Sequence, residues 1–230
     1  MLKSFYTNEV KNGAFKGSVL FFCVAIALCF ISVSNSYALE GKVKYVVDGD
    51  TFILQSGEKV RLASIDTPEV GRDGKADQYY AKESTKILSD LILNKVVTVT
   101  PVKGKKESYG RVIGWVYLGD SFINKDMVSK GAAFYYYHPH NDAGRQKSLL
   151  QAQIEAMSSV KGFWAKISIM EDFNIKWVGN IRSRRCFRVG SNFSVTVMRR
   201  NKVHFSNLGE AFMAGYTPAR AAKFWPEVKK

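Results

Sequence analysis

The sequence predicts a mainly β protein of the α+β class, built on a five-stranded OB-fold barrel with about three helices and followed by a small basic C-terminal module. Short β-branched segments alternate with turn residues between positions 40 and 118. A helical pattern interrupts them after the third segment, and further helical patterns follow the fifth. An open antiparallel sheet with its helices on one side would give the same order, so periodicity leaves that alternative open.

The first three strands are predicted from apolar alternation and from turn residues. Apolar side chains alternate imperfectly from Glu40 to Val47, which predicts the first strand. Asp48-Gly49-Asp50 is a turn signal. Thr51 to Leu54 and Lys59 to Ile65 then form a hairpin, and Pro68 prevents the third strand from continuing.

The remaining helices and strands are predicted from changes in the spacing of apolar residues along the chain. Apolar residues at helical spacing predict a helix from Gln78 to Leu93. The β-branched segment from Val96 to Val102 predicts a fourth strand, and Arg111 to Leu118 predicts a fifth. Helices are then expected from Phe122 to Lys130 and from Asp142 to Val160.

The hairpin between the second and third strands carries an unusual group of charges. A hairpin of this length brings its ends together, so we expect Asp50 and Asp66 to face each other, with Arg61 and Glu69 close by. Such a group is not typical of a core, whereas carboxylates bind hard cations and guanidinium groups bind phosphate. Asp48 and Asp50 could also form an ordinary polar turn. With Asp66 and Glu69 present, a site for a cation and a phosphate is favoured.

The overall charge favours a polyanionic partner. The chain of 230 residues has a formal net charge of +14 and a pI near 9.7, which is typical of proteins that bind nucleic acid or an anionic membrane surface. A basic surface without such a partner stays open at this point. A hydrophobic content of 46% argues against global disorder.

Residues 1–38 have the features of a signal peptide. Lysines precede an apolar run of fifteen residues from Val19 to Val33, and Ser36-Tyr37-Ala38 is a small-x-small cleavage site. The run is shorter than the roughly 20 residues that a membrane-spanning helix needs. We predict cleavage after Ala38 and a secreted or periplasmic protein, with a membrane-anchored, uncleaved form as the alternative. Cleavage would leave Cys186 as the only cysteine, which excludes an internal disulfide.

Three short motifs resemble the staphylococcal nuclease (thermonuclease) family in their order and approximate spacing. They are Asp48-Gly49-Asp50-Thr51, Arg61 followed by Asp66-Thr67-Pro68-Glu69, and Tyr109-Gly110-Arg111. Gly162-Phe163-Trp164 fits the usual C-terminal boundary of that family, so we expect the nuclease-like domain to cover residues 39–166. The resemblance implies an OB-fold barrel, calcium-dependent cleavage of DNA and RNA, and products that end in a 3′-phosphate.

The resemblance also implies roles for individual residues. The expected calcium ligands are Asp50, Asp66 and the main-chain carbonyl of Thr67. Few protein ligands imply weak binding without nucleic acid, which suits millimolar extracellular calcium. Arg61 and Arg111 would bind the phosphate in the transition state. Glu69 would be the general base for the attacking water, or would orient that water instead.

Tyrosines are expected to contact the substrate. Tyr109 could donate a hydrogen bond to a phosphate or could be a packing residue. The segment from Phe134 to Tyr137 should put alternate rings on opposite faces, one packed on the core and one available to a base. Stacking on Tyr136 or Tyr137 is expected, worth about 1–3 kcal/mol per base. His138 and His140 lack an obvious third ligand, so a metal site there is not expected.

Residues 167–230 hold a net charge of +8, two thirds of the +12 that remains after cleavage. Seven of the basic residues cluster within twenty-one positions: Arg182, Arg184, Arg185, Arg188, Arg199, Arg200 and Lys202. Alternation from Val195 to Met198 predicts a strand, and Asn207 to Ala214 predicts a capped helix. The segment is either an accessory DNA-binding surface, which would be sensitive to salt, or a solvated basic extension.

The C-terminal segment is also similar to a small module that follows some nuclease domains and often carries metal-binding cysteines. Ser191, Ala219 and Ala222 stand where those cysteines would be, so no structural zinc is expected.

The resulting hypothesis is an exported, calcium-dependent endonuclease that acts on DNA and RNA. We expect a monomer without a stable protein partner, and contact with a membrane only if the N-terminal segment is retained. A catalytically inactive nucleic-acid-binding OB-fold module is the alternative. Such a protein would be expected to lack at least one of the charged residues named above.

Overall fold

The computed structural model describes residues 38–102, 110–222 and 224–226. Strand β1 is the central strand of the sheet that closes into a barrel. The strands of this half of the molecule are β1 (Leu39–Asp48), β2 (Thr51–Leu54), β3 (Lys59–Leu62), β4 (Ile65–Asp66), β5 (Val96–Pro101), β6 (Val112–Leu118), β7 (Ser121–Phe122) and β8 (Phe134–Tyr135). The helices are α1 (Ala81–Ile92), α2 (Ile123–Ser129), α3 (Ala143–Ser158) and the short α4 (Trp164–Ile167).

Five of these strands form the barrel. Strands β1, β2 and β3 are an antiparallel meander, and β1 also pairs with β5, which pairs with β6. Parallel pairing of β3 with β6 closes the ring. The predicted OB-fold barrel is confirmed, and the open-sheet alternative is wrong because both outer strands of such a sheet are paired here.

The interior of the barrel is apolar, and helices pack against it. Phe52, Leu54, Val60 and Val99 are fully buried. Helix α1 turns Leu88 and other apolar side chains toward this core, as its sequence pattern predicts. All three predicted helices of this half are present, within a few residues of their expected ends.

One strand is shorter than its sequence pattern predicts. The pattern extends the third strand to Ile65, but β3 ends at Leu62 because Ser64 takes a left-handed backbone conformation with φ of 55°. The chain therefore turns out of the barrel. Ile65 and Asp66 form the separate strand β4, which pairs with Tyr135 and Phe134 of β8.

The C-terminal segment adds a second sheet. Its strands are β9 (Trp177–Asn180), β10 (Arg185–Arg188), β11 (Lys202–Phe205) and β12 (Thr217–Pro218), in the spatial order β11-β9-β10-β12. Its helices are α5 (Asn192–Thr196) and α6 (Leu208–Met213), with 3₁₀ turns at Glu171–Phe173, Arg199–Asn201 and Arg220–Ala222. The described residues from Ala38 onward belong to one compact unit.

The two secondary-structure predictions for this segment had different outcomes. The helix after Asn207 is confirmed as α6, and the Asn207 side chain accepts a hydrogen bond from the Glu210 N–H. The strand predicted from Val195 to Met198 is wrong. The Ser191 side chain accepts a hydrogen bond from the Ser194 N–H and starts α5, so this cap outweighs the short β-branched alternation.

Several predictions concern residues outside the described part of the chain. They include the signal peptide up to Tyr37 and the substrate contact of Tyr109. Within the described ranges, no helix has the length and apolar character needed to cross a membrane.

Candidate active site

The turn between β1 and β2 is pressed against its neighbours. A Cβ atom on Gly49 would lie 2.8 Å from the Cβ of Ser84 and 3.0 Å from the Cβ of Thr67, so any larger residue would push the turn outward. The next residue, Asp50, is only 2% exposed, and its Oδ1 accepts a 2.8 Å hydrogen bond from the Thr51 hydroxyl. Glycine at position 49 therefore lets the turn that carries Asp50 pack against Ser84 and Thr67.

Arg61 connects the two aspartates that the hairpin brings together. Its Nη1 lies 2.8 Å from Asp50 Oδ1 and its Nη2 lies 2.6 Å from Asp66 Oδ1. The register of the hairpin pairs Arg61 with Thr51, and the left-handed turn at Ser64 brings Asp66 back toward the same place. The predicted proximity of Asp50, Arg61 and Asp66 is confirmed.

The charged groups at this spot shift one another's pKa values. Burial opposes the charged form of Arg61, but the carboxylates of Asp50 and Asp66 outweigh it and raise the pKa of the guanidinium, so Arg61 stays charged. Burial raises the pKa of the Asp50 carboxyl well above its usual value, and Arg61 acts in the opposite direction. A second cation beside Asp50 would further favour its ionised form.

Glu69 follows β4 at the mouth of the site. Its N–H donates to Gln78 Oε1 at 2.8 Å, and its carbonyl accepts from the Gln78 N–H at 3.0 Å. The side chain is 54% exposed. Burial, Asp66 and Asp48 raise the pKa of the Glu69 carboxyl, whereas Arg220 and Arg61 lower it. Main-chain contacts thus fix the position of Glu69 while its carboxylate faces the solvent.

A cleft of about 1160 Å³ opens in front of these groups, and Arg61, Glu69 and Arg111 all line it. Arg111 is the first residue after Gly110 and directly precedes β6. Six of the described lining residues are Lys or Arg, and three are Asp or Glu, among them Asp48, Lys59, Arg72 and Lys75. The cleft therefore has an excess of positive charge, as a polyanion requires.

A smaller cavity of about 230 Å³ continues from the cleft behind Asp66 and Thr67. Its far wall comes from the C-terminal segment, including Phe224 and Trp225. Arg220 from this segment places Nη2 at 3.8 Å from Asp66 Oδ1 and at 3.9 Å from Glu69 Oε1. Sequence reasoning missed this residue, because no motif or period connects position 220 with position 66.

The tyrosines after β8 are partly covered by arginines of the C-terminal segment. The Arg185 guanidinium carbon lies 3.3 Å from the ring centre of Tyr136, and that of Arg184 lies 5.9 Å from the ring centre of Tyr137. Both tyrosines are half-buried. Neither is among the described residues that line the two cavities. Stacking of a base on Tyr136 or Tyr137 stays a prediction, and one face of Tyr136 is already occupied.

The rings from Phe134 to Tyr137 alternate between two faces as expected, but the face expected to be available to a base is packed as well, since Phe134 and Tyr136 contact one apolar cluster and Tyr135 and Tyr137 contact the other. Phe134 and Tyr135 are both buried, at 3% and 5% exposure, although they are neighbours in a strand. Two cores explain this difference, because Tyr135 packs in the barrel cluster and Phe134 in the cluster of the C-terminal segment. Burial raises the pKa of the Tyr135 hydroxyl to about 12.

The rings of His138 and His140 lie 5.8 Å apart. Among the described residues, no three His, Cys, Asp or Glu side chains come together in a way that could hold a metal ion. Cys186 is fully buried, and burial raises the pKa of its thiol. The expected lack of zinc in the C-terminal segment stays a prediction.

Comparison with known proteins identifies the family. A family model described as "Staphylococcal nuclease homologue" matches residues 59–166. The thermonuclease of Staphylococcus intermedius is 33% identical over 127 residues, which are 54% of this chain and 75% of that protein. The thermonuclease of Staphylococcus hyicus is 31% identical over 137 residues, 58% of this chain and 80% of that protein. An uncharacterized endonuclease of Escherichia coli is 34% identical over 131 residues, 55% of this chain and 78% of that protein.

The chain therefore belongs to the staphylococcal nuclease family, a family of nucleases. This membership implies a metal ion, and the residues at the site fit one. Arg61 holds a carboxylate oxygen of Asp50 and one of Asp66 at the same spot, Thr67 directly follows Asp66 in the chain, and hard divalent cations prefer oxygen ligands. Two carboxylates alone make a weak site, in agreement with a metal that is held together with the substrate.

Proposed function

We propose that this protein is a calcium-dependent endonuclease that hydrolyses phosphodiester bonds of DNA and RNA and leaves a 3′-phosphate. The observation that carries the proposal is the arrangement around Arg61. This guanidinium is fixed between Asp50 and Asp66 and faces the same cleft as Glu69 and Arg111. The names of the relatives, thermonuclease and endonuclease, support the same reaction class.

Arg61 and Arg111 bind the non-bridging oxygens of the scissile phosphate. A guanidinium keeps its charge at any working pH and holds two oxygens at once. Negative charge on these oxygens grows as water attacks phosphorus, so both contacts strengthen in the transition state. The two carboxylates that hold Arg61 fix its direction before substrate binds, which avoids reorganisation during the reaction.

Glu69 acts on the attacking water, either as the base that accepts its proton or as the group that orients it. Water attacks phosphorus in line, the bond from phosphorus to the 5′-oxygen breaks, and the leaving 5′-oxygen takes up a proton from the solvent, which gives a 3′-phosphate and a 5′-hydroxyl. Asp50, Asp66 and the carbonyl of Thr67 would hold the calcium ion. When bound, this ion would neutralise phosphate charge and lower the pKa of the water.

The alternative, an inactive nucleic-acid-binding module, has less support. A module that only binds would not need Glu69, whose negative charge repels phosphate at the mouth of a cationic cleft. Export through residues 1–38 remains part of the proposal and is supported by their signal-peptide pattern. A membrane-anchored form would require that segment to be retained, and a monomer without a stable protein partner is expected in either case.

Purified residues 39–230 should degrade plasmid and single-stranded DNA with calcium and should fail to do so with a chelator. Arg111→Ala should lower the rate by about 10²–10³, the range for removing one donor to a developing oxyanion charge. Lys86→Ala is the matched control, since this exposed lysine on α1 pairs with Asp90 outside the cleft.

Glu69→Gln should also abolish most of the activity, and Glu83→Gln on the exposed face of α1 should not. End-labelling of the products identifies which terminus carries the phosphate. No degradation stimulated by calcium would contradict the enzyme hypothesis. Full activity of Arg111→Ala or Glu69→Gln would instead refute the assignment of the site.

A further inference from the structure

The C-terminal segment, which lies beyond the matched family region, forms part of the wall of the cleft. We propose that Arg220 is a substrate-binding residue that contacts a phosphate of the nucleic acid next to the scissile one. The inference rests on the proposed function, because it assigns one more contact to the same substrate. It is carried by the position of Arg220 in both cavities and by its separation from Asp66 and Glu69.

The backbone before and at Arg220 is held by the second sheet. Strand β12 pairs in parallel with β10, so that Thr217 lies opposite Arg185. The Ala219 N–H donates to the Cys186 carbonyl at 3.0 Å. Arg188 Nη1 donates to the Ala222 carbonyl at 2.6 Å. Arg220 therefore starts a short 3₁₀ turn that is tied to buried parts of the structure on both sides.

The chain beyond Arg220 is held by residues of the nuclease-like region outside the barrel strands. Phe224 is buried, and the Trp225 ring lies 5.7 Å from Phe134 and 5.1 Å from Phe163. The Tyr79 N–H donates to the Pro226 carbonyl at 2.8 Å. Because the second sheet holds the chain before Arg220 and residues of the nuclease-like region hold it afterwards, the segment crosses the mouth of the site in a defined path.

The guanidinium of Arg220 lies near the carboxylates of Asp66 and Glu69 but pairs only weakly with them. Its side chain is 72% exposed, and both of its ion pairs are close to the 4 Å limit of such contacts. Exposed ion pairs of this kind contribute little to stability. Arg61 differs in both respects, with contacts below 3 Å and 13% exposure. Arg220 can thus turn toward a phosphate at small cost.

The electrostatics of the cleft explain why such a residue is needed. A nucleic acid that enters the site meets the carboxylates of Asp66 and Glu69, which repel its backbone. Arg220 lies next to both and offsets this repulsion on the side away from Arg111, since only Arg220 of these two arginines lines the smaller cavity. A phosphate adjoining the scissile one would therefore gain a bidentate partner there.

The test measures binding without cleavage. A fluorescent single-stranded oligonucleotide is titrated with residues 39–230 in chelator over a range of salt concentrations, and Arg220→Ala, Arg220→Lys and Lys86→Ala are compared with the parent. If Arg220 neutralises one phosphate, its replacement by alanine should weaken binding and reduce the slope of log K against log salt by about 0.7. Lysine should retain most of the slope because the charge is kept, and Lys86→Ala should match the parent.

Steady-state kinetics then separate binding from chemistry. Arg220→Ala should raise KM for the oligonucleotide more than it lowers kcat, unlike Arg111→Ala. An Arg220→Ala protein with parental affinity and parental salt slope would overturn the inference. Tighter binding or faster cleavage would also overturn it, because Arg220 would then be an inhibitory contact. Failure of the proposed function is distinguishable, since a protein that binds DNA but never cleaves it would still show the Arg220 effect.

Discussion

The barrel and the C-terminal segment use their charged residues differently. In residues 39–166 the net charge is only +4, and the central guanidinium, Arg61, pairs with two carboxylates. In residues 167–230 the net charge is +8, and arginines pack on rings and main-chain carbonyls. Arg185 stacks on Tyr136 and donates to the Tyr137 carbonyl at 3.0 Å, and Arg184 lies 4.8 Å from the ring centre of Tyr216. The net charge of residues 167–230 therefore overstates the positive charge that this segment can present to a binding partner.

The nuclease-like region and the C-terminal segment share an apolar core. Phe163 and Trp164 from the end of the nuclease-like region are buried in the same cluster as Phe212 and Phe224 from the C-terminal segment. The Trp164 and Phe212 ring centres are 5.0 Å apart in an edge-to-face arrangement. A segment outside the matched family region therefore shares a core with that region.

Removing the C-terminal segment should have the largest effect. A protein ending at residue 166 would expose Phe134, Phe163 and Trp164, and each fully buried large apolar side chain contributes about 1.5–3 kcal/mol. The sum approaches the whole stability of a typical domain, about 5–15 kcal/mol. Thermal denaturation of residues 39–166 and 39–230 measures the difference. Equal melting temperatures and equal solubility would show that the two regions are independent after all.

Cutting one polar link between the regions should have an intermediate effect. Gln153 on α3 accepts from the Tyr135 N–H and donates to the Phe212 carbonyl, each at 2.8 Å, and is fully buried. Gln153→Ala leaves both main-chain groups without this partner, so unfolding free energy should fall by about 1–3 kcal/mol per unsatisfied group. Urea denaturation is the measurement.

The matched control for that experiment is Gln151→Ala, because Gln151 is exposed on the same helix and bonds only locally to Glu155 among its described contacts. Its effect should stay within about 0.5 kcal/mol. If both variants were destabilised equally, the link between barrel and C-terminal segment would be no stronger than an ordinary surface contact.

The smallest effect on stability is expected from the exposed arginines of the segment. Arg182, Arg199 and Arg200 are exposed, in contrast to half-buried Arg184 and Arg185. Replacing the three by alanine should change unfolding free energy by less than about 0.5 kcal/mol each. If they bind DNA, the salt slope of duplex binding should fall by about 0.9 for each phosphate that is no longer neutralised. An unchanged slope would favour a solvated basic surface.

The barrel could be predicted from the sequence because the apolar residues of its strands and helices recur at clear intervals, and because neighbouring elements are close along the chain. The hairpin that unites Asp50 with Arg61 and Asp66 spans fewer than twenty positions, so its turn and register alone bring these side chains together. The prediction of secondary structure was wrong where a helix cap or a single backbone angle determined where an element begins or ends. Ser191 starts a helix where β-branched residues predict a strand, and Ser64 ends β3 early.

Local sequence patterns thus suffice to predict the chemistry of the site: a cation and phosphate site on one hairpin, with Arg111 at the start of a later strand. The residues that complete the site from a distance depend on how the folded elements pack. Arg220 reaches Asp66 because β12 pairs with β10 and Trp225 packs on Phe134. Contacts between residues so far apart depend on the shape and packing of whole elements, and no period or spacing along the chain encodes them.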